Sequence, residues 1–166
     1  MANYTAADVK ALRDKTGAGM MDVKKALDEA DGDAAKAEEI LRIHGAKAAA
    51  KREGRTAANG LVISKVLDTE NGQRGILVEV NSETDFVAKT ERFINMAEEV
   101  LAAAIDSEAQ TVEELLAAKL GDGTVADRVT EEIAVIGEKL VVSNLEILDG
   151  HVVEAYMHRT APALPP

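Results

Sequence analysis

Few side chains in this sequence are spaced for bond-making chemistry. The three histidines are His44, His151 and His158. None has metal-ligand spacing with another histidine, or with a carboxylate on a shared helix face. There is no cysteine, hence no thiolate nucleophile, thiolate metal site or disulfide, which suits a reducing cytosol. Gly17-Ala18-Gly19 lacks the following Lys-Ser/Thr of a phosphate-cradling loop and follows a predicted helix, not a strand. Pairs of carboxylates are abundant, but in so acidic a chain they read as a solvated face. A hydrolase or transferase would have carboxylate abundance as its only support. No catalytic residue, metal site or cofactor is assigned.

What stands out is a stretch suited to gripping another molecule, Val78-Glu79-Val80-Asn81-Ser82-Glu83-Thr84-Asp85-Phe86-Val87-Ala88-Lys89-Thr90. Ile76, Val78 and Val80 alternate with Leu77 and Glu79, the period of a half-buried strand. Asn81 to Asp85 are short polar residues that favour caps and turns. Ser82 or Thr84 serves as an N-cap, and a helical pattern follows. Asp85 and Phe86 therefore fall in the first turn of a helix at a sheet edge. Taken as one helix to Ile105, this pattern puts Phe86 on the stripe of Phe93, Ala97, Val100, Leu101 and Ala104, which makes it core. Asp85 alone is an ordinary helix-dipole carboxylate.

Composition sets the frame for these residues. Across 166 residues, apolar types make up 46% and aromatics only 2%, so the core is aliphatic. The longest apolar run, Val100 to Ile105, is far short of the roughly 18 residues of a membrane span, and Met-Ala-Asn-Tyr-Thr is no signal peptide. A cytoplasmic protein is expected, with no membrane partner. Residues 1–59 carry 11 Lys/Arg against 10 Asp/Glu; residues 60–166 carry 8 against 20, a net of -12. So acidic a main domain repels phosphate backbones, which argues against direct nucleic-acid binding.

The chain divides into four stretches. Residues 1–45 read as three short helices. The first opens at the capping-box-like Thr5-Ala6-Ala7-Asp8, the second follows Gly17-Ala18-Gly19, and Asp33 caps the third. Met20 and Met21 are adjacent, so either one packs and one is exposed, or both line a surface where methionine makes adaptable contacts; the plain alternative is that both are gap-fillers. Residues 46–59 are basic and Ala-rich, a helix extension and then a linker; they lack the aromatics that stack bases. Residues 60–158 read as an α+β domain. Leu61 to Leu67 and Gly75 to Val80 form a hairpin about Asn71-Gly72. Thr111 and Thr124 cap two further helices, the latter ending at Gly137. Lys139 to Leu148 is a strand, and His151 to Met157 pairs back across Asp149-Gly150. The fold class is α+β, a three-helix bundle followed by an antiparallel sheet covered by helices on one side. Residues 159–166 hold three prolines and cannot continue a strand.

Two stretches resemble the signatures of the elongation factor Ts family: Arg13-Asp14-Lys15-Thr16-Gly17-Ala18-Gly19-Met20-Met21-Asp22-Val23-Lys24-Lys25-Ala26-Leu27, and Val78 to Val87 as quoted above. Both are long, in the right order and correctly spaced, and the match runs to about Met157. The resemblance implies a guanine-nucleotide exchange factor for elongation factor Tu, met in its GDP-bound and nucleotide-free states, and not a covalent catalyst. It implies that residues 1–45 are a UBA-like bundle docking on the partner's G domain through Arg13, Met20 and Met21. It implies that residues 60–158 are the family's core, dimerisation-type domain. Thr84, Asp85, Phe86 and Val87 match the segment that dislodges Mg²⁺ from the partner's nucleotide site, with Phe86 as a wedge. That placement needs Phe86 to protrude, against the periodicity. Family members continue into a second subdomain, whereas this sequence stops at Pro166. If that subdomain is lacking, the alternative is a module that binds Tu without driving exchange.

Overall fold

A computed structural model describes residues 3–158; the Pro-rich stretch 159–166 lies outside the described residues. The helices are α1 (Ala6–Thr16), α2 (Met20–Glu29), α3 (Ala34–Ala50), α4 (Asp85–Ala88), α5 (Glu91–Ser107), α6 (Val112–Ala117) and α7 (Val125–Ile136). The strands are β1 (Asn59–Thr69), β2 (Gly72–Ser82), β3 (Lys119–Leu120), β4 (Gly123–Thr124) and β5 (Leu140–Gly150). The fold is α+β, and the chain falls into two compact units.

One unit runs to Gly54 and includes Thr130–Glu138. Its three-helix bundle buries Val9, Leu12, Val23, Ala26, Leu27, Ala30 and Ala37. The helix starts are those the cap residues dictate. Thr5 and Asp8 exchange both bonds of a capping box, and Asp33 accepts from the amides of Ala35 and Lys36. The second half of α7 adds to the bundle. Gly45 is buried so closely that a Cβ there would lie 3.1 Å from that of Ala134. Arg52 Nε donates to the Gly137 carbonyl at 2.9 Å.

The other unit holds Arg55–Val129 and the chain from Lys139 on. Its sheet has the order β1-β2-β5, all antiparallel. On the inner face Leu61, Ile76, Val78, Val80, Leu140, Val142 and Leu145 are buried, with α5 against β1 and β2 and α6 against β5. Phe93, Met96, Ala97, Val100, Ala103 and Ala104 supply the facing layer. Val142 and Leu145 are three apart and would face opposite ways on a regular strand. A register shift opposite Glu79 and Val80 leaves Ser143 as the extra residue and returns both to the core.

Three expectations need correction. The β1–β2 turn is Glu70-Asn71, one residue earlier than Asn71-Gly72, because Thr69 pairs with Gly72. Gly72 is instead strand backbone at φ 142, where a Cβ would meet the Gly150 carbonyl oxygen at 2.3 Å. No strand follows Gly150 among the described residues, so His151 to Met157 does not pair back and Asp149-Gly150 is no hairpin turn. That segment crosses the outer face of the sheet. Val153 donates its amide to Gln73 Oε1 and fills the space that Gly75 leaves open, and Ser64 Oγ lies 3.6 Å from Met157 Sδ. Last, the helix expected from Asp85 to Ile105 is two helices, broken at Lys89-Thr90.

Candidate functional site

The centre strand β2 delivers the chain to a corner. Ser82 is its last paired residue, matched to Asn59 on one side and Leu140 on the other. The Ser82 hydroxyl is fully buried and donates to the Thr84 carbonyl at 2.9 Å. Thr84 is extended (φ -124, ψ 153) and caps α4, its Oγ1 accepting from the Val87 amide. One turn later the chain turns again at Thr90 (φ -74, ψ 139), which caps α5 by accepting from the Phe93 amide. Thr90 Oγ1 also donates to the Val87 carbonyl at 2.8 Å.

That break decides the fate of the two phenylalanines. Phe93 is fully buried, whereas Phe86 is 78% exposed. The stripe that joined them assumed a continuous helix. An extended residue between two capped helices resets the phase, and Phe86 is not core. Ala88, 2% exposed, is the one buried residue of α4.

Charge dresses the exposed ring. Lys89 Nζ lies 2.7 Å from Asp85 Oδ2 and 5.9 Å from the centroid of Phe86. The Lys89 bond, and then its positive charge and the nearby Asp85 and Phe86 amides, hold the Asp85 carboxyl below the usual aspartate range against the opposing effect of desolvation. Both charges remain well exposed, so the pair adds little stability. It restricts where Lys89, and through the cation–π contact Phe86, can go. Lys89 was not singled out in the sequence, although its spacing of four from Asp85 and three from Phe86 is the signal for both contacts.

Thr84, Asp85, Phe86 and Val87 thus lie together on one capped turn. Arg13, Met20 and Met21 belong to the other unit. Arg13 is exposed in the last turn of α1, and its carbonyl accepts from Gly17, whose left-handed backbone (φ 69) ends the helix. Met20 and Met21 open α2 and are 52% and 62% exposed, so neither packs. The burial of α2 is carried by Val23, Ala26 and Leu27.

Neither set surrounds a reaction space. No group of His, Cys, Asp or Glu among the described residues is disposed to hold a metal ion. A cavity of about 140 Å³ between the sheet and α5, lined by Leu67, Arg74, Ile76, Ala104 and Glu108 among others, is smaller than the roughly 300–1,000 Å³ of small-molecule sites. No helix among the described residues is long and apolar enough to cross a membrane. What the two sets share is large apolar side chains left in solvent, Phe86 on one unit and Met20 and Met21 on the other.

Comparison with known proteins gives the chain a family. The family model for elongation factor Ts matches residues 83–163, a span that takes in Thr84 to Thr90. Elongation factor Ts of Arthrobacter sp. (strain FB24) is 56% identical over 165 residues, covering 99% of this chain and 58% of its own length. That of Beutenbergia cavernae is 58% identical over 168 residues, covering 100% and 60%. That of Micrococcus luteus is 58% identical over 165 residues, covering 99% and 58%. This sequence thus spans about three-fifths of the length of the curated relatives it matches, at an identity that leaves one assignment: the chain belongs to the elongation factor Ts family.

Proposed function

We propose that this chain is a translation elongation factor that binds elongation factor Tu and speeds release of its GDP. In this role residues 1–45 are a UBA-like docking module, linked by 46–59 to the working domain at 60–158, from which Thr130–Glu138 is lent to the bundle's unit. Arg13, Met20 and Met21 contact the partner's G domain. Thr84, Asp85, Phe86 and Val87 enter beside the partner's Mg²⁺ and phosphates. The observation that carries this is the 78% exposure of Phe86 on a turn capped at both ends.

The physics is coupling. A factor that lowers the partner's affinity for nucleotide is itself bound less tightly when nucleotide is present, by the same ratio. Mg²⁺ demands near-ideal oxygen geometry, so shifting a packed element beside it loosens the whole site. No covalent bond changes hands, so the chain is not an enzyme in that sense and uses no cofactor of its own. Its place of work is the cytoplasm, where translation proceeds.

Release of fluorescent GDP from elongation factor Tu tests this. The chain should accelerate release, and Phe86→Ala should cost about tenfold or more of that acceleration, since burying an aromatic ring is worth that much. Unchanged acceleration by Phe86→Ala would sink the wedge. A second reading is a module that binds Tu without driving exchange. Binding with no faster release would establish it.

A further inference from the structure

We infer that Glu83 is the positioning residue for Phe86, an inference that rests on Phe86 being the working side chain. The helix carrying Phe86 has four residues and one buried side chain, Ala88. Isolated helices shorter than about 12 residues are marginal in water, so α4 cannot hold its own direction. The Thr90 hydroxyl holds its far end through the Val87 carbonyl, and the residues just before it set the direction of its near end.

Glu83 is the first residue past the paired part of the centre strand, and it is tied to the chain where both flanking strands begin. On the β5 side, the Lys139 amide donates to Glu83 Oε1 at 2.6 Å. On the β1 side, Arg55 Nη1 reaches Oε1 at 3.2 Å and Oε2 at 3.4 Å, while Asn59 Nδ2 donates to the Glu83 carbonyl at 2.8 Å. The Glu83 side chain is only 21% exposed. A carboxylate accepting a backbone amide makes a shorter and stronger bond than a neutral acceptor would. The clamp therefore fixes the backbone one residue ahead of the Thr84 cap, and with it the line along which the ring projects.

The rival role is plain closure of the sheet's end, and the chain's composition separates the two. Phe86 and Phe93 are its only phenylalanines, one exposed and one buried. Ring-labelled phenylalanine gives one signal for the site and one for the core in nuclear magnetic resonance. Glu83→Ala should shift and sharpen the Phe86 signal and leave Phe93 in place. GDP release from elongation factor Tu at saturating chain should fall about tenfold, the scale of one charge-assisted hydrogen bond, with half-saturation changed less than about twofold. Glu83→Gln should restore most of both, because its amide oxygen still accepts the Lys139 amide. Arg55→Ala, which spares the Lys139 bond, should move Phe86 in the same direction by less, and it serves if Glu83→Ala does not fold. An unmoved Phe86 signal, or Phe86 and Phe93 shifting together, overturns the assignment. If Phe86→Ala leaves GDP release unaltered, it is the exchange mechanism that fails, and the ring signals still decide the role of Glu83.

Discussion

Truncating the two phenylalanines separately should give opposite results for stability. Phe93 is fully buried on α5, and Phe93→Ala should cost about 3–5 kcal/mol, the usual range for a buried aromatic. Phe86 is 78% exposed, so only about a fifth of its surface is covered. With full burial worth about 1.5–3 kcal/mol, that fifth is worth roughly 0.3–0.7 kcal/mol. The Lys89 contact at 5.9 Å adds about 0.5–1 kcal/mol at an exposed site. Alanine is the better helix former by about 0.5 kcal/mol, which offsets part of the loss. Phe86→Ala should therefore cost less than about 1.5 kcal/mol, a fall in Tm of at most about 6 °C for a chain of this size. Urea unfolding followed by circular dichroism compares the variants directly, and the chain has no tryptophan for fluorescence to follow. Equal losses for both variants, or a loss above about 3 kcal/mol for Phe86→Ala, would mean the ring is held by the fold and not offered by it.

Three further outcomes follow from the same structure. Thr5→Ala removes the acceptor for the Asp8 amide and should lower stability by about 1 kcal/mol in urea, with α1 the element that frays. Gly72→Ala puts a Cβ 2.3 Å from the Gly150 carbonyl at a φ of 142, and should cost more than about 1 kcal/mol and loosen β5 first in hydrogen exchange. Asp8 is held below its ordinary range by the Thr5 amide and then the Thr5 hydroxyl, and Asp85 by Lys89. A carboxyl depressed on folding contributes stability that is full above its unfolded pKa of about 3.9 and is lost as pH falls through the lower folded value. Thermal melts from pH 7 to pH 2 should therefore fall more steeply at the acid end for the native chain than for Asp8→Asn, and parallel curves would refute the linkage.

Much of the architecture was legible because its signals are local. Thr5, Asp33, Thr111 and Thr124 announce helix starts by cap chemistry, and the alternation in β2 announces a strand buried on one face. The misses share a cause in distance. His151 to Met157 alternates like a strand, but Gly75 leaves a gap that Val153 fills, and nothing near Val153 in the sequence reports that gap. The packing of Ala134 against Gly45 is hidden for the same reason. At the corner the fault was one of phase. Phe86 and Phe93 are seven apart, two helical turns, so the apolar stripe runs unbroken through Thr90 even though the helix does not. Thr90 carries the cap signal of a threonine, without the Glu or Gln three residues on that completes a box. Glu83 was invisible as an anchor because its partners lie 56 and 28 residues away.

The exposure of Phe86 also bounds what the ring can do by burial alone. Covering the remaining four-fifths of its surface on a partner is worth roughly 1.2–2.4 kcal/mol, or about 7- to 50-fold in an equilibrium. Holding the ring on a capped turn adds efficiency, since little rotational freedom is left to lose on contact. Under the proposed exchange role, reciprocity makes the same factor the limit on how far burial of the ring can shift the partner's nucleotide affinity. If Phe86→Ala lowers the acceleration of GDP release within that range, the ring acts as an apolar anchor that is covered only when the nucleotide site is open. A loss beyond about a hundredfold cannot come from the ring's own burial. It would mean that entry of the ring displaces something worth more, such as a ligand that the partner's Mg²⁺ cannot replace. Measuring release across Mg²⁺ concentrations separates the two. A displaced metal ligand makes the native chain's advantage shrink as Mg²⁺ rises, whereas a simple anchor leaves the ratio between native and variant flat.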